Sequence, residues 1–229
     1  KMESVECTLT PPHRYAIVNP GIARGSYPTL RNFRFLSRLQ LKTIIHLTPE
    51  TPTEDLSLFC QMAGVKSIHF SITRTAVLSD TMKSSLIEAL NICLDPKNYP
   101  LFIHCLDGRR ISALLVLLIR RAQGWTPISS LSEYWRYQVS SRSPIPTSEV
   151  EKTTKELEKF AVSCEDIMIP EIIPKWLWGG DKNVTVVGVM LKKNNCSITS
   201  TNMNNTSVIN KPTISSNNIS EKLPSSSET

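Results

Sequence analysis

The sequence predicts an α/β fold in which a central, mainly parallel β-sheet is flanked by helices. Short apolar runs alternate with longer segments of helical periodicity along residues 15–163, which is typical of α/β units around a parallel sheet. Clusters of Asn, Asp, Gly and Pro separate these segments and mark turns. Residues 101–121 contain an apolar strand, a tight turn and an apolar helix in direct succession. Both elements of this unit are therefore predicted to be buried.

Five segments have the character of strands. The clearest is 41–47, Leu-Lys-Thr-Ile-Ile-His-Leu, because β-branched residues are enriched there. The segment 65–72 alternates apolar and polar residues, as a half-buried strand does. The predicted strands are 15–18, 22–25, 41–47, 65–72 and 101–105.

Helix starts are indicated by residues that cap helices. Asn32 is predicted to cap a helix that reaches Leu39, and Thr53 one that reaches Gln61 and stops at Gly64. Ser79 and Asp80 begin a helix, and Thr126 with Pro127 form an N-cap and first-turn pair. The remaining helices are predicted at 111–121 and 148–163, and the helix after Thr126 at 128–137.

The composition divides the chain into four parts. Residues 1–11 are predicted to be a flexible N-terminus and 12–165 the folded domain. Residues 166–192 form an apolar extension for which a strand pair and a docked tail stay open. Residues 193–229 are rich in Asn, Ser and Thr and are predicted to be disordered, because they have too little apolar surface to offset the entropy of ordering.

Several classes of function are excluded by composition. No apolar run approaches 18 residues, so no membrane span is expected. The net charge of +6 comes without the interleaved aromatic residues that stack bases, so nucleic-acid binding is not expected. The six Cys contain no C-x-x-C, which argues against zinc, and no cofactor is expected. No secretory signal is visible, so a reducing, cytoplasmic location is expected.

The turn after strand 101–105 is the strongest candidate for a functional site. Cys105 ends the strand, His104 precedes it, and Gly108 lies in the turn before the helix. Successive loop N–H groups and the start of a helix attract anions. The same field favours a thiolate over a thiol. The pattern therefore predicts a nucleophilic or anion-binding cysteine.

The residues of this turn resemble the signature loop of cysteine-dependent phosphatases, in which His-Cys, five residues, Arg and Ser or Thr follow one another. His104, Cys105, Gly108 and Ser112 match, but Ile111 stands where that family has Arg. Further segments resemble the plant and fungal atypical dual-specificity (tyrosine) phosphatases, in the branch whose loop lacks the Arg. These segments keep their order between residues 12 and 163: 21–28, 32–33, 41–45, 48–50, 94–100, 120–121, 125 and 133–134.

The resemblance implies a cysteine-phosphatase-like domain and a role for each site residue. Cys105 would attack phosphorus and Ser112 would donate a hydrogen bond to its sulfur. Asp80 is the candidate general acid by position, although it can equally be a helix N-cap. His104 and Arg24 would support the loop from behind. The phosphate-binding residues implied are Leu106, Asp107, Gly108, Arg109, Arg110 and Ile111.

Two functions remain open. Ile111 cannot clamp phosphate as an Arg does, and the Asp107 carboxylate repels anions, whereas Arg109 and Arg110 would attract them if they point into the loop. The first function is a phosphatase of weak or narrow activity that acts on phosphorylated protein or on a small phosphorylated ligand such as an inositol pyrophosphate. The alternative is a pseudophosphatase, a subunit that binds a phosphate ligand or scaffolds protein partners.

Overall fold

The computed structural model describes residues 8–73, 79–138, 147–162 and 170–180. Its strands are β1 (Ala16–Asn19), β2 (Ile22–Ser26), β3 (Thr43–Thr48), β4 (Lys66–Ser71) and β5 (Leu101–Cys105). Its α-helices are α1 (Leu30–Arg38), α2 (Glu54–Met62), α3 (Asp80–Leu94), α4 (Arg110–Ala122), α5 (Pro127–Gln138) and α6 (Thr147–Val162). Short 3-10 helices lie at Pro96–Asn98 and Trp178–Gly180.

The five strands form one sheet in the order β1-β2-β5-β3-β4. Only β1, paired with β2, is antiparallel, which confirms the predicted α/β class with a mainly parallel sheet. Cys105 is in register with Ser26 of β2 and Leu47 of β3. The carboxyl ends of three parallel strands therefore meet around Cys105, at the sheet edge where α/β proteins bind ligands.

Helices cover both faces of the sheet, because its central strands are apolar on both sides. One face packs against α1 and α2 through a cluster that includes Leu36, Ile44 and Phe102. The other face packs against α3 to α6 through a larger cluster that includes Ile103 and Leu114. Neighbouring residues of β5 point to opposite faces, so His104 faces the α1–α2 layer and Cys105 faces α4.

Helix α4 is the central helix of the larger layer. Every residue from 111 to 119 is buried, as its continuous apolar sequence predicts. The charged Arg120 is buried as well, and its guanidinium binds both oxygens of Glu133 at 2.5 and 3.0 Å. It also donates to the Val18 carbonyl and to Asn19 Oδ1 at 3.0 Å. These contacts join the end of α4 to α5 and β1.

Two predicted helix caps are wrong. Asn32 lies inside α1, where its Oδ1 accepts the backbone N–H of Thr29, the true N-cap residue, at 2.8 Å. Asp80 is not the N-cap of α3, because Ser79 is, and its Oγ accepts the N–H of Met82 at 3.2 Å. In both cases a hydroxyl residue precedes the residue chosen from sequence, and it takes the N-cap position.

Packed residues continue beyond 165. Ile173 and Leu177 are buried in the same core as α4. The chain divides into units Lys1–Asn194 and Asn195–Thr229; the second unit, the first seven residues and residues 181–194 lie outside the described residues, so the flexible N-terminus, most of the apolar extension and the disordered tail stay predictions. Among the described helices, none is both long and apolar enough to cross a bilayer.

Candidate active site

Cys105 is the last residue of β5 and is 2% exposed. Four residues separate it from the first residue of α4, so its side chain lies beside the start of that helix. The thiol contacts Ser112 Oγ at 3.4 Å and Asp107 Oδ1 at 3.7 Å. The structure thus places a sulfur, a hydroxyl and a carboxylate around one point at a helix N-terminus.

Arg24 lies directly beneath this loop and is completely buried. Its Nη2 donates to the Gly108 carbonyl at 2.6 Å, to Ser112 Oγ at 2.8 Å and to the Arg109 carbonyl at 3.3 Å. The ring of Tyr137 stacks on its guanidinium at 3.8 Å. One buried cation therefore joins β2, the loop, the first turn of α4 and α5.

Asp107 turns its carboxylate back into the loop. Its Oδ1 accepts the backbone N–H of Arg109 at 3.0 Å. Its carbonyl accepts from Arg14 Nη1 at 3.0 Å. One loop amide that an external anion would use is thus bound by the protein's own carboxylate, which brings negative charge close to the sulfur.

Gly108 has a φ of +67°, in the left-handed region that favours glycine. A Cβ at this position would lie 2.8 Å from the Ser26 nitrogen and 2.9 Å from the Gly25 carbonyl carbon. The loop therefore needs glycine both for its conformation and for its close approach to β2.

His104 belongs to a row of three histidines on adjacent strands. His46 is in register with both His104 and His69. His104 Nε2 lies 2.7 Å from His46 Nδ1, and His46 Nε2 lies 2.8 Å from Ser67 Oγ. Burial lowers the pKa of His104 well below its usual range, and burial lowers that of His46 to about 4. Both rings are therefore neutral at physiological pH.

The two loop arginines behave differently. The side chain of Arg109 does not reach into the loop, because its Nη2 donates to the Gln138 carbonyl at the end of α5. Arg110 lines the cavity beside Cys105 and interacts with the hydroxyl of Tyr134, whose pKa is raised by burial and held back by this arginine. Of these two arginines, only Arg110 has a place in the lining of the cavity beside Cys105.

Asp80, the candidate general acid, lies in the first turn of α3. Its side chain is fully exposed and contacts Lys83 Nζ at 3.4 Å. It does not line the cavity at Cys105. Residues 74–78, which precede the helix, lie outside the described residues.

Ile111 is 5% exposed and packs in the core around α4. It also lines the cavity beside Cys105, whose volume is about 10 Å³. The other lining residues are Leu47, Pro49, Ile72, Leu106, Asp107 and Arg110.

Three contributors were missed in the sequence analysis. Arg14 and Tyr137 reach the site from distant segments, and no local pattern signals either of them. His46 could have been found, because it and His104 occur at similar depth in two predicted parallel strands. Equal depth in adjacent parallel strands brings side chains together on one face.

Comparison with known proteins gives matches that cover this site. The model of a family described as "Tyrosine phosphatase family" matches residues 9–164. Inositol diphosphatase DSP3 of Arabidopsis thaliana is 35% identical over 127 residues, which are 55% of this chain and 63% of that protein. Inositol diphosphatase DSP2 of Oryza sativa is 35% identical over 130 residues, 56% of this chain and 64% of that protein. The chain therefore spans less than two thirds of the length of these plant relatives.

A solved structure shares the fold. The core catalytic domain of the PP-IP phosphatase SIW14 from S. cerevisiae, in complex with citrate, aligns with a TM-score of 0.58 and 28% identity. The alignment covers 67% of this chain and 88% of that domain.

Proposed function

This chain belongs to the tyrosine phosphatase family, and we propose that it is a cysteine-dependent phosphatase of weak or narrow activity. The observation that carries the proposal is the contact of Cys105 Sγ with Ser112 Oγ at 3.4 Å, at the start of α4. A nucleophile, a donor to that nucleophile and a helix N-terminus are the parts that phosphoryl transfer through cysteine requires.

In the proposed reaction, the Cys105 thiolate attacks phosphorus and the bond from phosphorus to the leaving oxygen breaks. A thiophosphoryl enzyme forms, and attack by water releases phosphate and restores the thiolate. Ser112 stabilises the departing thiolate by donating its hydroxyl proton to a hydrogen bond. N–H groups of the loop and the Arg110 side chain attract the phosphoryl oxygens.

The lack of protonation by Asp80 would favour one class of substrate over another. Asp80 is exposed, pairs with Lys83 and does not line the cavity. If Asp80 does not protonate the leaving group, a leaving group that is already a weak base departs most readily. A phosphate group is such a leaving group, so the cleavage of a diphosphate, as in an inositol pyrophosphate, is favoured over the cleavage of an alkyl phosphate. The plant relatives named as inositol diphosphatases support this preference.

Weak activity follows from three features of the loop. Ile111 replaces a phosphate-clamping Arg, a group that can contribute roughly 10³–10⁵ in rate in phosphoryl transfer. Asp107 binds the N–H of Arg109 and adds a negative charge. The cavity of about 10 Å³ has room for a single water, so a phosphoryl group enters only if the lining side chains move.

The same features support a second candidate function, a pseudophosphatase. In this case the loop binds a phosphorylated ligand without cleaving it, or the domain serves as a scaffolding subunit. Ile111 favours this alternative. An isoleucine in place of arginine gives no stabilisation to the transition state, but the helix N-terminus that attracts phosphate stays in place.

Turnover separates the two functions. The parent and Cys105→Ser are compared with p-nitrophenyl phosphate and with an inositol pyrophosphate, and the trapped enzyme is analysed by mass spectrometry. Slow turnover that Cys105→Ser abolishes, together with one phosphoryl group on Cys105, supports the phosphatase. Equal rates in both proteins, with vanadate still bound by the parent, overturn it in favour of the pseudophosphatase. Equal rates without vanadate binding overturn both functions.

A further inference from the structure

We propose that Arg24 is a positioning residue, which fixes the hydroxyl of Ser112 so that its proton is directed at the sulfur of Cys105. The inference rests on the proposed function, since it assigns a role in activating the same nucleophile. It derives from the contacts of one buried guanidinium, which acts on the sulfur through the serine.

The direction of the hydrogen bonds follows from the chemistry of arginine. A guanidinium has only donors, so Ser112 Oγ accepts at its 2.8 Å contact with Arg24 Nη2. The hydroxyl proton must then point elsewhere. Ser112 is completely buried, and Cys105 Sγ lies 3.4 Å from Oγ. When the sulfur is a thiolate, this contact is a hydrogen bond from Ser112 to the sulfur.

Arg24 also binds the two carbonyls that compete for this proton. In the first turns of a helix, a serine hydroxyl commonly donates to the carbonyl three or four residues earlier. For Ser112 these are the carbonyls of Arg109 and Gly108, and Arg24 Nη2 contacts them at 3.3 and 2.6 Å. One nitrogen thus binds the serine oxygen and both local alternatives. A carbonyl that already accepts from a guanidinium is a weaker acceptor for a second donor, so the sulfur is favoured as the acceptor of the hydroxyl proton.

The charges around the sulfur come from several elements. Asp107 contributes a carboxylate 3.7 Å away and Arg110 a cation at the same cavity. Arg14 binds the carbonyl of Asp107, and His104 on the opposite face is neutral because burial lowers its pKa. On α5, Glu133 pairs with Arg120, and Tyr137 stacks on Arg24.

Arg24 itself is short of partners in the described part of the chain. Its Nε and Nη1 are buried and make no hydrogen bond there. Burial, with a smaller effect of Arg14, lowers its pKa, while the electrostatic effects of Tyr137, Cys105 and Glu133 oppose that shift. A buried cation with unsatisfied donors is costly for stability. The favourable effect of a Cys105 thiolate on this cation fits a role at the nucleophile.

The alternative is that Arg24 only holds the loop through the Gly108 and Arg109 carbonyls. A double-mutant cycle distinguishes the two roles, because it measures whether Arg24 acts through Ser112. The cycle uses the full chain, with Arg24→Met, Ser112→Ala and the double variant. The rate of alkylation of Cys105 by iodoacetamide is measured across pH 5 to about 9 by peptide mass spectrometry.

We expect each single variant to slow alkylation near neutral pH by roughly tenfold, the scale of one hydrogen bond to a charged group. The pH at which alkylation reaches half its maximal rate should be higher in each variant than in the parent. The double variant should be no slower than the slower single variant. Arg24→Lys should resemble Arg24→Met, because the lysine side chain is one bond shorter and does not carry its ammonium to the position of Nη2, and because an ammonium loses the stacking on the Tyr137 ring. Ser112→Thr, which keeps the hydroxyl, should match the parent.

Controls keep the result interpretable. Leu56→Ala removes buried packing in the α1–α2 layer on the other face of the sheet, so it should lower the unfolding midpoint and leave the alkylation profile unchanged. Multiplicative slowing in the double variant overturns the proposal, as does an unchanged profile in Arg24→Lys. If Arg24→Met does not fold, Arg24→Lys and Ser112→Ala complete the cycle. Alkylation needs no turnover, so a coupled cycle in a protein without turnover would overturn the phosphatase function alone.

Discussion

Ile111 and Cys105 line the same cavity of about 10 Å³ at the start of α4. The isoleucine lies six residues after the cysteine, and its side chain also packs into the apolar core. An apolar group therefore borders the point where a phosphoryl group would meet the sulfur. In the proposed phosphatase, this position would affect turnover more than phosphate binding, because the loop amides and the helix N-terminus do not depend on it.

The first prediction concerns this position. Ile111→Arg should raise kcat for p-nitrophenyl phosphate by on the order of 10²-fold or more, since a preorganised donor acts mainly on charge that develops in the transition state. It should tighten the binding of inorganic phosphate much less. Ile111→Leu, apolar and of equal size, should leave both unchanged. If Ile111→Arg alters neither turnover nor phosphate inhibition while remaining folded, the loop is not arranged as a phosphate cradle.

The second prediction separates the charge of Asp107 from its hydrogen bond. Asp107→Asn keeps an oxygen that can accept the N–H of Arg109, but it removes a charge 3.7 Å from the sulfur. Two unit charges at about 4 Å interact by roughly 1 kcal/mol even in water, and more where they are partly buried. Vanadate should therefore bind Asp107→Asn several-fold to about tenfold more tightly than the parent.

Asp107→Ala is the companion variant, because it also frees the N–H of Arg109. Its vanadate affinity should equal or exceed that of Asp107→Asn. If Asp107→Asn binds vanadate no better than the parent, the charge of Asp107 does not govern anion binding. The two variants together show whether the charge of Asp107 or its hydrogen bond to the Arg109 N–H weakens anion binding more.

Local patterns in the sequence were sufficient to predict the framework of the site. The β-branched run of β3 and the continuous apolar run of α4 specify buried elements whatever surrounds them. Cys105 at the end of a strand and Gly108 in the following turn are likewise local features. The structure confirms that the cysteine ends β5 and lies at the start of α4.

The contacts around the sulfur depend on long-range packing and could not be predicted. Arg24 reaches Ser112 across 88 residues, and Arg14 reaches Asp107 across 93. Such contacts depend on strand register and side-chain direction, which periodicity leaves open. Asp80 shows the same limit, because its position before a helix suited a general acid but its side chain points to solvent.

The third prediction concerns the backbone of the loop. Gly108→Ala should destabilise the protein and abolish vanadate binding, because the new Cβ would meet the Ser26 nitrogen at 2.8 Å in addition to the strain at a φ of +67°. Gly64 offers a matched control, because it has a φ of +64° and a Cβ added there would meet no heavy atom within 4 Å.

Gly64→Ala should therefore cost only the left-handed strain, about 1–2 kcal/mol, and leave vanadate binding intact. Urea denaturation of both variants measures the difference, which is the cost of the clash. Equal destabilisation of the two variants would show that the loop can move away from β2.

The last prediction uses the buried histidine pair. The pKa of His46 is about 4 in the folded protein and near 6.5 in an unfolded chain, and burial is the main cause. Between these values the unfolded chain binds more protons than the folded one, so stability must fall as the pH falls. The contribution is fully present above about pH 6.5 and lost towards pH 4. Since one pKa unit corresponds to about 1.4 kcal/mol, His46 alone accounts for at most about 3–4 kcal/mol.

Urea midpoints measured from pH 7.5 to 5, above the range in which most carboxylates titrate, isolate the histidine contribution. His46→Gln keeps hydrogen-bonding groups but does not titrate, so it should flatten this dependence. His13→Gln changes an exposed histidine and should preserve it. The urea midpoint should depend less steeply on pH in His46→Gln than in the parent, because the variant takes up one proton fewer when it unfolds. An identical slope in His46→Gln and the parent would mean that His46 is not neutral in the folded protein. Protonation of His46 would then not be coupled to the stability of the sheet beneath Cys105.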